Sequence, residues 1–319
     1  MKPVVILLLI PVLLLAILGG GAFAWYSTAH RPVNQGGEEK LIDIKEGTST
    51  REIGRQLQRE GFIRSQLAFY VDVRLHDDIL QAGVYRLSPQ MSMNDIIVTM
   101  VEGKVAEHQV TVPEGWRLLE IAKLLAEKKI IKSEDFLKVA EGKEGYLFPD
   151  TYKFPLNVTA DDIVEAMRVN FDTRTDDARI NLKRTDIILA SIIEREAKSD
   201  ADRVKIAAVY LNRLKVPMRL EADPTVQYAK TLVNSSITDP WPKITTEDYR
   251  SVNSPYNTYL NDGLPPGPIC NPGLASLRAV LSPASIDDLY FFHTSEGETI
   301  FSKTLEEHNT KKKQYNLAI

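Results

Sequence analysis

The chain has 319 residues, of which 44% are hydrophobic and 26% are charged. This composition excludes a disordered protein and provides for one large core or roughly two to three smaller ones. The net charge of −4 gives no reason to expect a nucleic-acid-binding protein, because the basic residues are spread along the chain. A single cysteine, Cys270, excludes an internal disulfide and a thiolate metal site, and the five histidines do not have ligand spacing. We therefore expect no metal and no other cofactor.

The first segment, residues 3–26, is apolar and contains no charged residue. About 20 residues of this kind can cross a hydrocarbon core of roughly 30 Å. A cleaved signal peptide is the alternative, but its apolar region is normally about 7–15 residues long, and the bulky residues 23–26 do not match a small-residue cleavage site. We therefore expect an uncleaved transmembrane anchor over residues 1–26. Lys2 favours a cytoplasmic N-terminus, with the rest of the chain on the extracytoplasmic side.

Two copies of one unit follow a polar segment at residues 27–40, which its proline and glycines mark as a linker. A shift of 68 positions, as from Ile53 to Ile121, aligns the first halves of the copies. The copies span about residues 43–103 and 110–170. Each is predicted to contain a strand, two helices and a second strand, and to close with a further helix. Packing on a neighbour and binding of a polymer are both open as roles for the unit.

The second copy differs from the first near its second strand. Residues 144–152 (EGYLFPDTY) stand where the first copy has residues 81–85 (QAGVY). A gain of aromatic and acidic residues is typical of a segment recruited to a site, which makes Asp150 a candidate. Its alternative role is in a turn, since Pro149 and Asp150 are an ordinary turn pair.

Residues 185–197 are predicted to form a helix that is apolar almost all the way round and ends in three charges. At about 100° per residue, Glu196 projects on the same side as Ile192 and Ile193. Such a carboxyl is desolvated, which raises its pKa and suits it to act as a general acid. The alternative is that residues 194–196 are the solvated last turn of a core helix.

Further helix starts lie downstream of this segment. Ser199 is predicted to cap the next helix. Asp223 is predicted as the N-cap of another, with Pro224 at the first helical position. Capping accounts for Asp223 without a functional role, but it does not account for Arg219 and Glu221.

The irregular segment within residues 254–273 is stiffened by five prolines and contains Tyr and Asn side chains. Rigid loops of this composition are typical of sugar sites, because aromatic faces stack on pyranose rings and amides bond to hydroxyls. After it we predict a helix at 274–281, strands at 289–293 and 299–302, and a final helix. This last part reads as scaffold, and the basic run 311–313 as the solvated face of the final helix.

Four segments in this order behind an apolar N-terminus closely resemble the YceG-like endolytic murein transglycosylases, the MltG family. They are residues 190–197 (ASIIEREA), 218–226 (MRLEADPTV), 254–259 (SPYNTY) and 263–268 (GLPPGP). The likeness runs from the N-terminal segment almost to the C-terminus. In that family a LysM-like module precedes the catalytic domain, and this matches the first copy of the repeat.

The resemblance implies an activity and a catalytic residue. The family's catalytic glutamate is the second acidic residue of a Glu-Lys-Glu motif, and this position falls on Glu196. The middle residue here is Arg195, a change that should leave the carboxyl in place. The implied reaction is cleavage of peptidoglycan glycan strands between N-acetylmuramic acid and N-acetylglucosamine, which leaves a 1,6-anhydro end. Partnership with cell-wall synthases, the penicillin-binding proteins, is also implied.

Two other classes of function stay open at this point. A hydrolytic muramidase needs a second carboxylate, for which Glu221 and Asp223 are the candidates. A non-catalytic scaffold of the cell envelope would keep the anchor and the repeat but would not need the surroundings of Glu196. The presence of all four segments argues against the scaffold, whereas only the resemblance argues against hydrolysis.

We therefore predict an α+β protein on the cytoplasmic membrane. The expected domains are an anchor at 1–26, a linker at 27–40, a LysM-like βααβ module at 41–106, and a mixed α/β catalytic domain at 107–319 that contains the second copy. Glu196 is the expected catalytic residue. Nine residues are candidates for substrate binding and are expected to gather around it: Asp150, Ser191, Arg219, Glu221, Asp223, Gln227, Tyr256, Asn257 and Tyr259.

Overall fold

The computed structural model describes residues 3–316, apart from the side chains of residues 3–12 and of Ala16. The chain is mixed α/β, as expected, and divides into two compact units. The first unit is Met1–His108 with Lys153–Asn157, and the second is Gln109–Tyr152 with Val158–Ile319.

The apolar N-terminal segment forms helix α1, Pro3–His30, which is long and apolar enough to cross a membrane. The helix continues for four residues past residue 26, into the segment 27–40 that is expected to be a linker. The Thr28 hydroxyl donates to the Ala24 carbonyl (2.7 Å), one turn back along this last part of the helix. The helix ends before Pro32, whose ring disfavours helical geometry at the preceding residue.

The first copy of the repeat has the predicted order of elements. They are β1 (Lys40–Ile44), α2 (Thr50–Arg59), α3 (Gln66–Leu75), β2 (Gly83–Leu87) and α4 (Met93–Val101). The strands pair antiparallel, with Ile42 opposite Tyr85. Side chains of Ser49, Ser65 and Ser92 cap the three helices. Alternate strand residues and one face of each helix thus form the core of the first unit.

The second copy repeats this order. Its elements are β3 (Glu107–Thr111), α5 (Leu118–Glu127), α6 (Ser133–Val139), β4 (Thr151–Pro155) and α7 (Ala160–Asp177). Ile53 in α2 and Ile121 in α5 occupy the same kind of element, and both are buried. The predicted order is confirmed in both copies. The likeness of the first copy to a LysM module stays a prediction.

The rest of the second unit is mainly helical. Its elements are α8 (Arg184–Glu196), α9 (Asp200–Lys215), α10 (Asp223–Val233), α11 (Asp248–Ser251), α12 (Leu274–Leu281), β5 (Tyr290–His293), β6 (Thr299–Ser302) and α13 (Leu305–Gln314). Helix α12 packs against α8 and α9, and β5 pairs antiparallel with β6. The core here surrounds α8, whose residues Ile187–Ile193 are all buried.

Because Ile53 and Ile121 are equivalent in the repeat and both are buried, truncation of either should have a similar cost. We expect Ile53→Ala and Ile121→Ala each to lower the free energy of unfolding by about 2–5 kcal/mol, through lost burial and the cavity left behind. Native-state hydrogen exchange, read separately in α2 and α5, measures both effects. Leu67→Ala is the control, since Leu67 is 58% exposed. If either isoleucine substitution lowers the free energy of unfolding no more than Leu67→Ala does, the two positions are not equivalent.

Candidate active site

Glu196 is the last residue of α8, and its carboxyl is only 12% exposed. The Tyr210 hydroxyl, from α9, donates to Glu196 Oε1 over 3.2 Å. His293 Nε2, at the end of β5, lies 3.9 Å from Glu196 Oε2. Burial first, and the neighbouring Glu196 carboxylate second, raise the pKa of Tyr210 well above its usual value. The phenol therefore remains a hydrogen-bond donor, and one carboxyl oxygen is held while the other faces His293.

The second acidic residue of this helix end, Glu194, has different surroundings. Glu194 and Glu196 are two positions apart, so their side chains project from nearly opposite faces of the helix. Glu194 is 5% exposed, and its two oxygens accept hydrogen bonds from the Arg203 guanidinium (3.1 Å) and the Gly273 backbone N–H (3.0 Å). Between the two glutamates, the Arg195 guanidinium lies over the Trp241 ring, 4.0 Å from its centroid. Glu194 is thus satisfied inside the protein, and Glu196 is the carboxyl that faces open space.

That space is a cavity of about 470 Å³, a size within the range of small-molecule sites. Its acidic lining residues are Glu196, Glu221 and Asp223, and its tyrosines are Tyr249, Tyr259 and Tyr290. Groups that are or can become cationic line it as well, namely Arg213, His293, His308 and Lys312. The cavity therefore combines apolar ring faces with charged groups of both signs.

Asp223 joins two of these tyrosines. Its Oδ1 accepts a hydrogen bond from the Tyr259 hydroxyl (2.7 Å) and its Oδ2 one from the Tyr249 hydroxyl (3.4 Å). The two rings are stacked, with centroids 4.2 Å apart. Burial, followed by the Asp223 charge, raises the pKa of both phenols, so both remain donors. This pair presents a fixed aromatic face beside Glu196.

The prediction that Asp223 is a helix cap is wrong. Ala222 is the N-cap residue of α10, which has no side-chain cap, and Asp223 is the first residue of the helix. Its carboxylate instead accepts hydrogen bonds from the hydroxyls of Tyr249 and Tyr259. The predicted cap at Ser199 is confirmed, because its hydroxyl accepts from the Asp202 N–H (3.2 Å).

Of the nine residues expected around Glu196, the structure brings Glu221, Asp223 and Tyr259 to the cavity wall. Glu221 has a positive φ of 47°, a backbone region that non-glycine residues rarely occupy, and its carboxylate lies 3.5 Å from Arg213 Nη1. Arg219 lies beside Tyr259, to whose carbonyl it donates (2.9 Å), and its Nε donates to Asp262 (2.8 Å). It thus supports the loop that carries Tyr259.

Asn257 and Tyr256 do not line the cavity, contrary to the expectation. Asn257 is fully buried, and its amide donates to the carbonyls of Tyr249 (3.2 Å) and Val252 (2.9 Å) and accepts from the Tyr259 N–H (2.9 Å). The Tyr256 ring packs on that of Tyr228, at a centroid distance of 4.8 Å. The asparagine therefore positions the two cavity tyrosines, and Tyr256 belongs to the packing behind them.

Three further candidates are held by other partners. Ser191 is fully buried, where its hydroxyl donates to the Ile188 carbonyl (2.7 Å). The Gln227 amide donates to the Pro242 carbonyl (3.1 Å). Asp150 accepts from Arg174 and Asn170 at the start of β4. None of the three is part of the cavity wall, so their gathering around Glu196 is not observed.

Comparison with known proteins identifies the family of this chain. The model of the YceG-like family matches residues 42–314. The chain belongs to the YceG-like family. It is 35% identical to an endolytic murein transglycosylase of Bacillus subtilis, over 93% of this chain and 90% of that protein. An endolytic murein transglycosylase of Streptococcus pneumoniae is 27% identical over 92% of this chain, which spans only 62% of that longer relative.

A solved structure gives the same result. The crystal structure of a YceG-like protein from Listeria monocytogenes covers 87% of this chain with a TM-score of 0.58 and 35% sequence identity. All of that protein is matched by this chain. The fold of this YceG-like chain is therefore that of its family.

Sequence reasoning missed several groups of this site in the YceG-like chain. Tyr210 carried a signal, since a tyrosine within a predicted core helix needs a partner for its hydroxyl. His293 ends a strand that was read as scaffold. The sequence around Tyr249 and around Lys312 does not indicate that either residue belongs to the site, because only tertiary packing brings them to the cavity.

If Asn257 positions the tyrosine pair, its truncation should disorder that pair. We expect Asn257→Ala to lower the free energy of unfolding by about 1–3 kcal/mol, because it leaves buried backbone groups unpaired. It should also increase the hydrogen exchange of residues 249–259. Asn253→Ala is the matched control, since Asn253 is exposed on the same loop. Equal effects of the two substitutions would contradict the positioning role.

Proposed function

We propose that this chain is an endolytic lytic transglycosylase of peptidoglycan. In this proposal it cleaves between N-acetylmuramic acid and N-acetylglucosamine and leaves 1,6-anhydro ends. The enzyme class rests on membership of the YceG-like family and on relatives named endolytic murein transglycosylases. The observation that carries the reaction is the Glu196 carboxyl, which is nearly buried and faces a cavity with a tyrosine pair.

Glu196 acts twice in the proposed mechanism. Its protonated carboxyl first donates to the glycosidic oxygen as the bond to C1 of the muramyl residue breaks. The resulting carboxylate then takes the proton of the C6 hydroxyl of the same residue, whose oxygen attacks C1 and closes the anhydro ring. No water is consumed, and Glu196 ends in the protonated state in which it began.

The neighbours of Glu196 have supporting roles in this proposal. The hydrogen bond from Tyr210 fixes the orientation of the carboxyl, which leaves Oε2 to exchange the proton. The stacked rings of Tyr249 and Tyr259 offer a face for a pyranose ring, and Asp223 holds those rings in place. The acid and base are thus one residue of α8, the group that orients it comes from α9, and the sugar platform comes from Tyr249 of α11 and Tyr259 of the loop after it.

Hydrolysis is a second candidate, because Glu221 and Asp223 line the same cavity as Glu196. A muramidase would use one of them to activate water or stabilise the oxocarbenium ion. Asp223 already accepts from two tyrosines, and Glu221 lies beside Arg213. These partners favour a positioning role for both carboxylates, and the chemistry of the product end separates the two reactions.

The apolar helix α1 is the basis for the proposed location of the protein in the cell. We place α1 in the cytoplasmic membrane as a single span over residues 3–26, with residues 27–319 on the extracytoplasmic side, where peptidoglycan lies. Nascent glycan strands and the cell-wall synthases that make them are the proposed partners.

Glu196→Gln should abolish cleavage, with a fall of about 10³-fold or more, because an amide can neither donate nor accept the transferred proton. The melting temperature and the affinity for glycan strands should change little, since the amide keeps the shape of the side chain. Mass spectrometry of products from purified strands measures cleavage and identifies the ends. Glu296→Gln is the control, at an exposed carboxyl in the β5–β6 turn.

Undiminished cleavage by the Glu196→Gln protein would overturn the mechanism. Reducing ends in place of 1,6-anhydro ends from the wild-type protein would indicate hydrolysis instead.

Protease added to intact spheroplasts should digest the part of the chain after α1, because that part is proposed to lie outside the cytoplasmic membrane. Immunoblotting with an antibody against the C-terminal part measures the loss, and a cytoplasmic protein that stays intact is the control. Full protection of the chain until detergent is added would mean that the proposed orientation is reversed.

A further inference from the structure

The wall of the Glu196 cavity includes one face of the final helix, α13. Leu305, His308 and Lys312 lie three and four residues apart, which places them on one side of the helix, and all three line the cavity. The basic run at 311–313 was expected to be a solvated face. Lys312 departs from that expectation, because its position in the helical repeat directs it to the cavity.

The three lysines of the run have different surroundings. Lys311 Nζ donates to the Phe301 carbonyl (2.7 Å) and pairs with Glu307 (2.7 Å). Lys313 is exposed. Within the part of the chain that the structure describes, no ion pair or hydrogen bond includes the side chain of Lys312. Lys312 is therefore a cation in the cavity wall whose charge no protein group neutralises by contact.

His308 adds a second unsatisfied group beside it. Its Nδ1 is buried and has no hydrogen-bond partner among the described residues. The ring is held by Tyr290 and Phe292, at centroid distances of 5.3 and 5.5 Å. Burial, and then the charges of Lys312 and Arg213, lower the pKa of His308. Lys312 and Arg213 thus act electrostatically on His308, and an anion bound in the cavity would offset their positive charge.

Arg213 contributes positive charge to this region, but two of its three nitrogens are already engaged. Its Nε donates to the Leu289 carbonyl (2.6 Å) and its Nη1 to the Leu220 carbonyl (2.8 Å). Glu221 lies 3.5 Å from the same Nη1. On the face of α13, Lys312 and His308 both keep side-chain nitrogens that are unpaired within the described part of the chain and could take part in binding a ligand.

We propose that Lys312 and His308 form a carboxylate-binding subsite of the Glu196 cavity, which recognises an acidic group carried by the glycan strand. This inference rests on the proposed function. In peptidoglycan only the muramyl residue carries such a group, either as its own lactyl carboxylate or as a carboxylate of the attached stem peptide. An ammonium group binds a carboxylate through charge-assisted hydrogen bonds. The subsite would thereby set the register of the alternating strand, so that a muramyl C1 faces Glu196.

The test uses the full chain in detergent micelles and two kinds of purified strand. One kind carries its stem peptides, and the other has been freed of them by an amidase, which exposes the lactyl carboxylate. A portion of each has its carboxyls converted to methylamides. The variants are Lys312→Gln, Lys312→Arg as the conservative replacement, and Lys313→Gln as the matched control on the same helix. Release of soluble fragments gives kcat and KM, and the chemistry of the ends is scored separately.

We expect Lys312→Gln to raise KM about tenfold on one kind of unmodified strand while kcat changes little, because a charge-assisted contact in the bound state is lost. Lys312→Arg and Lys313→Gln should stay within about twofold of the wild type. An effect confined to amidase-treated strands assigns the ligand to the lactyl group, and one confined to peptide-bearing strands assigns it to the stem. On methylamide strands the wild type and Lys312→Gln should behave alike.

The subsite is overturned if Lys312→Gln leaves KM unchanged on both unmodified strands. It is also overturned if the variant loses as much on methylamide strands, since that loss would reflect folding. The proposed reaction fails on a different readout, namely wild-type products that lack 1,6-anhydro ends. If the wild-type protein releases no fragments from any strand, the proposed function fails and the subsite inference with it.

Discussion

Helix α8 is apolar on every side, and the surroundings of Glu196 depend on this constraint. Seven consecutive residues, Ile187–Ile193, are buried, so the helix must be enclosed by other elements. Helices α9 and α12 supply that enclosure. Charge is therefore confined to the two ends of α8, and the two glutamates of its last turn lie on opposite sides of the helix. One ends in an internal ion pair with Arg203, and the other ends at the cavity.

The elements that local patterns specify were predictable. A helix that is apolar all round, two strands at 289–293 and 299–302, and the order of elements in both copies of the repeat follow from periodicity within windows of about 5–15 residues. The position of Glu196 at a helix end followed in the same way. The Glu196 neighbours Tyr210 and His293 are 14 and 97 residues further along the chain, and periodicity carries no information on such pairs.

The roles of single polar residues were harder to predict than the elements that carry them. A rigid loop rich in Tyr and Asn suggested a sugar site, and the loop does reach the cavity through Tyr259. Which residue faces the cavity depends on the turn geometry: Asn257 points into the protein, where its amide satisfies three backbone groups. Asp223 had the sequence context of a cap, but two tyrosine hydroxyls occupy its carboxylate. Competition between local and tertiary hydrogen bonds decides such cases.

The unbroken course of α1 has a mechanical consequence. A helix of 28 residues is about 42 Å long, whereas a bilayer core is roughly 30 Å thick. Its last turn is fastened to α3, because the Tyr26 hydroxyl donates to Asp72 and His30 lies 3.4 Å from the same carboxylate. The first copy of the repeat is thus joined directly to a continuous helix, without a flexible linker between them. If α1 spans the membrane as proposed, that copy is held within a few turns of helix of the bilayer surface.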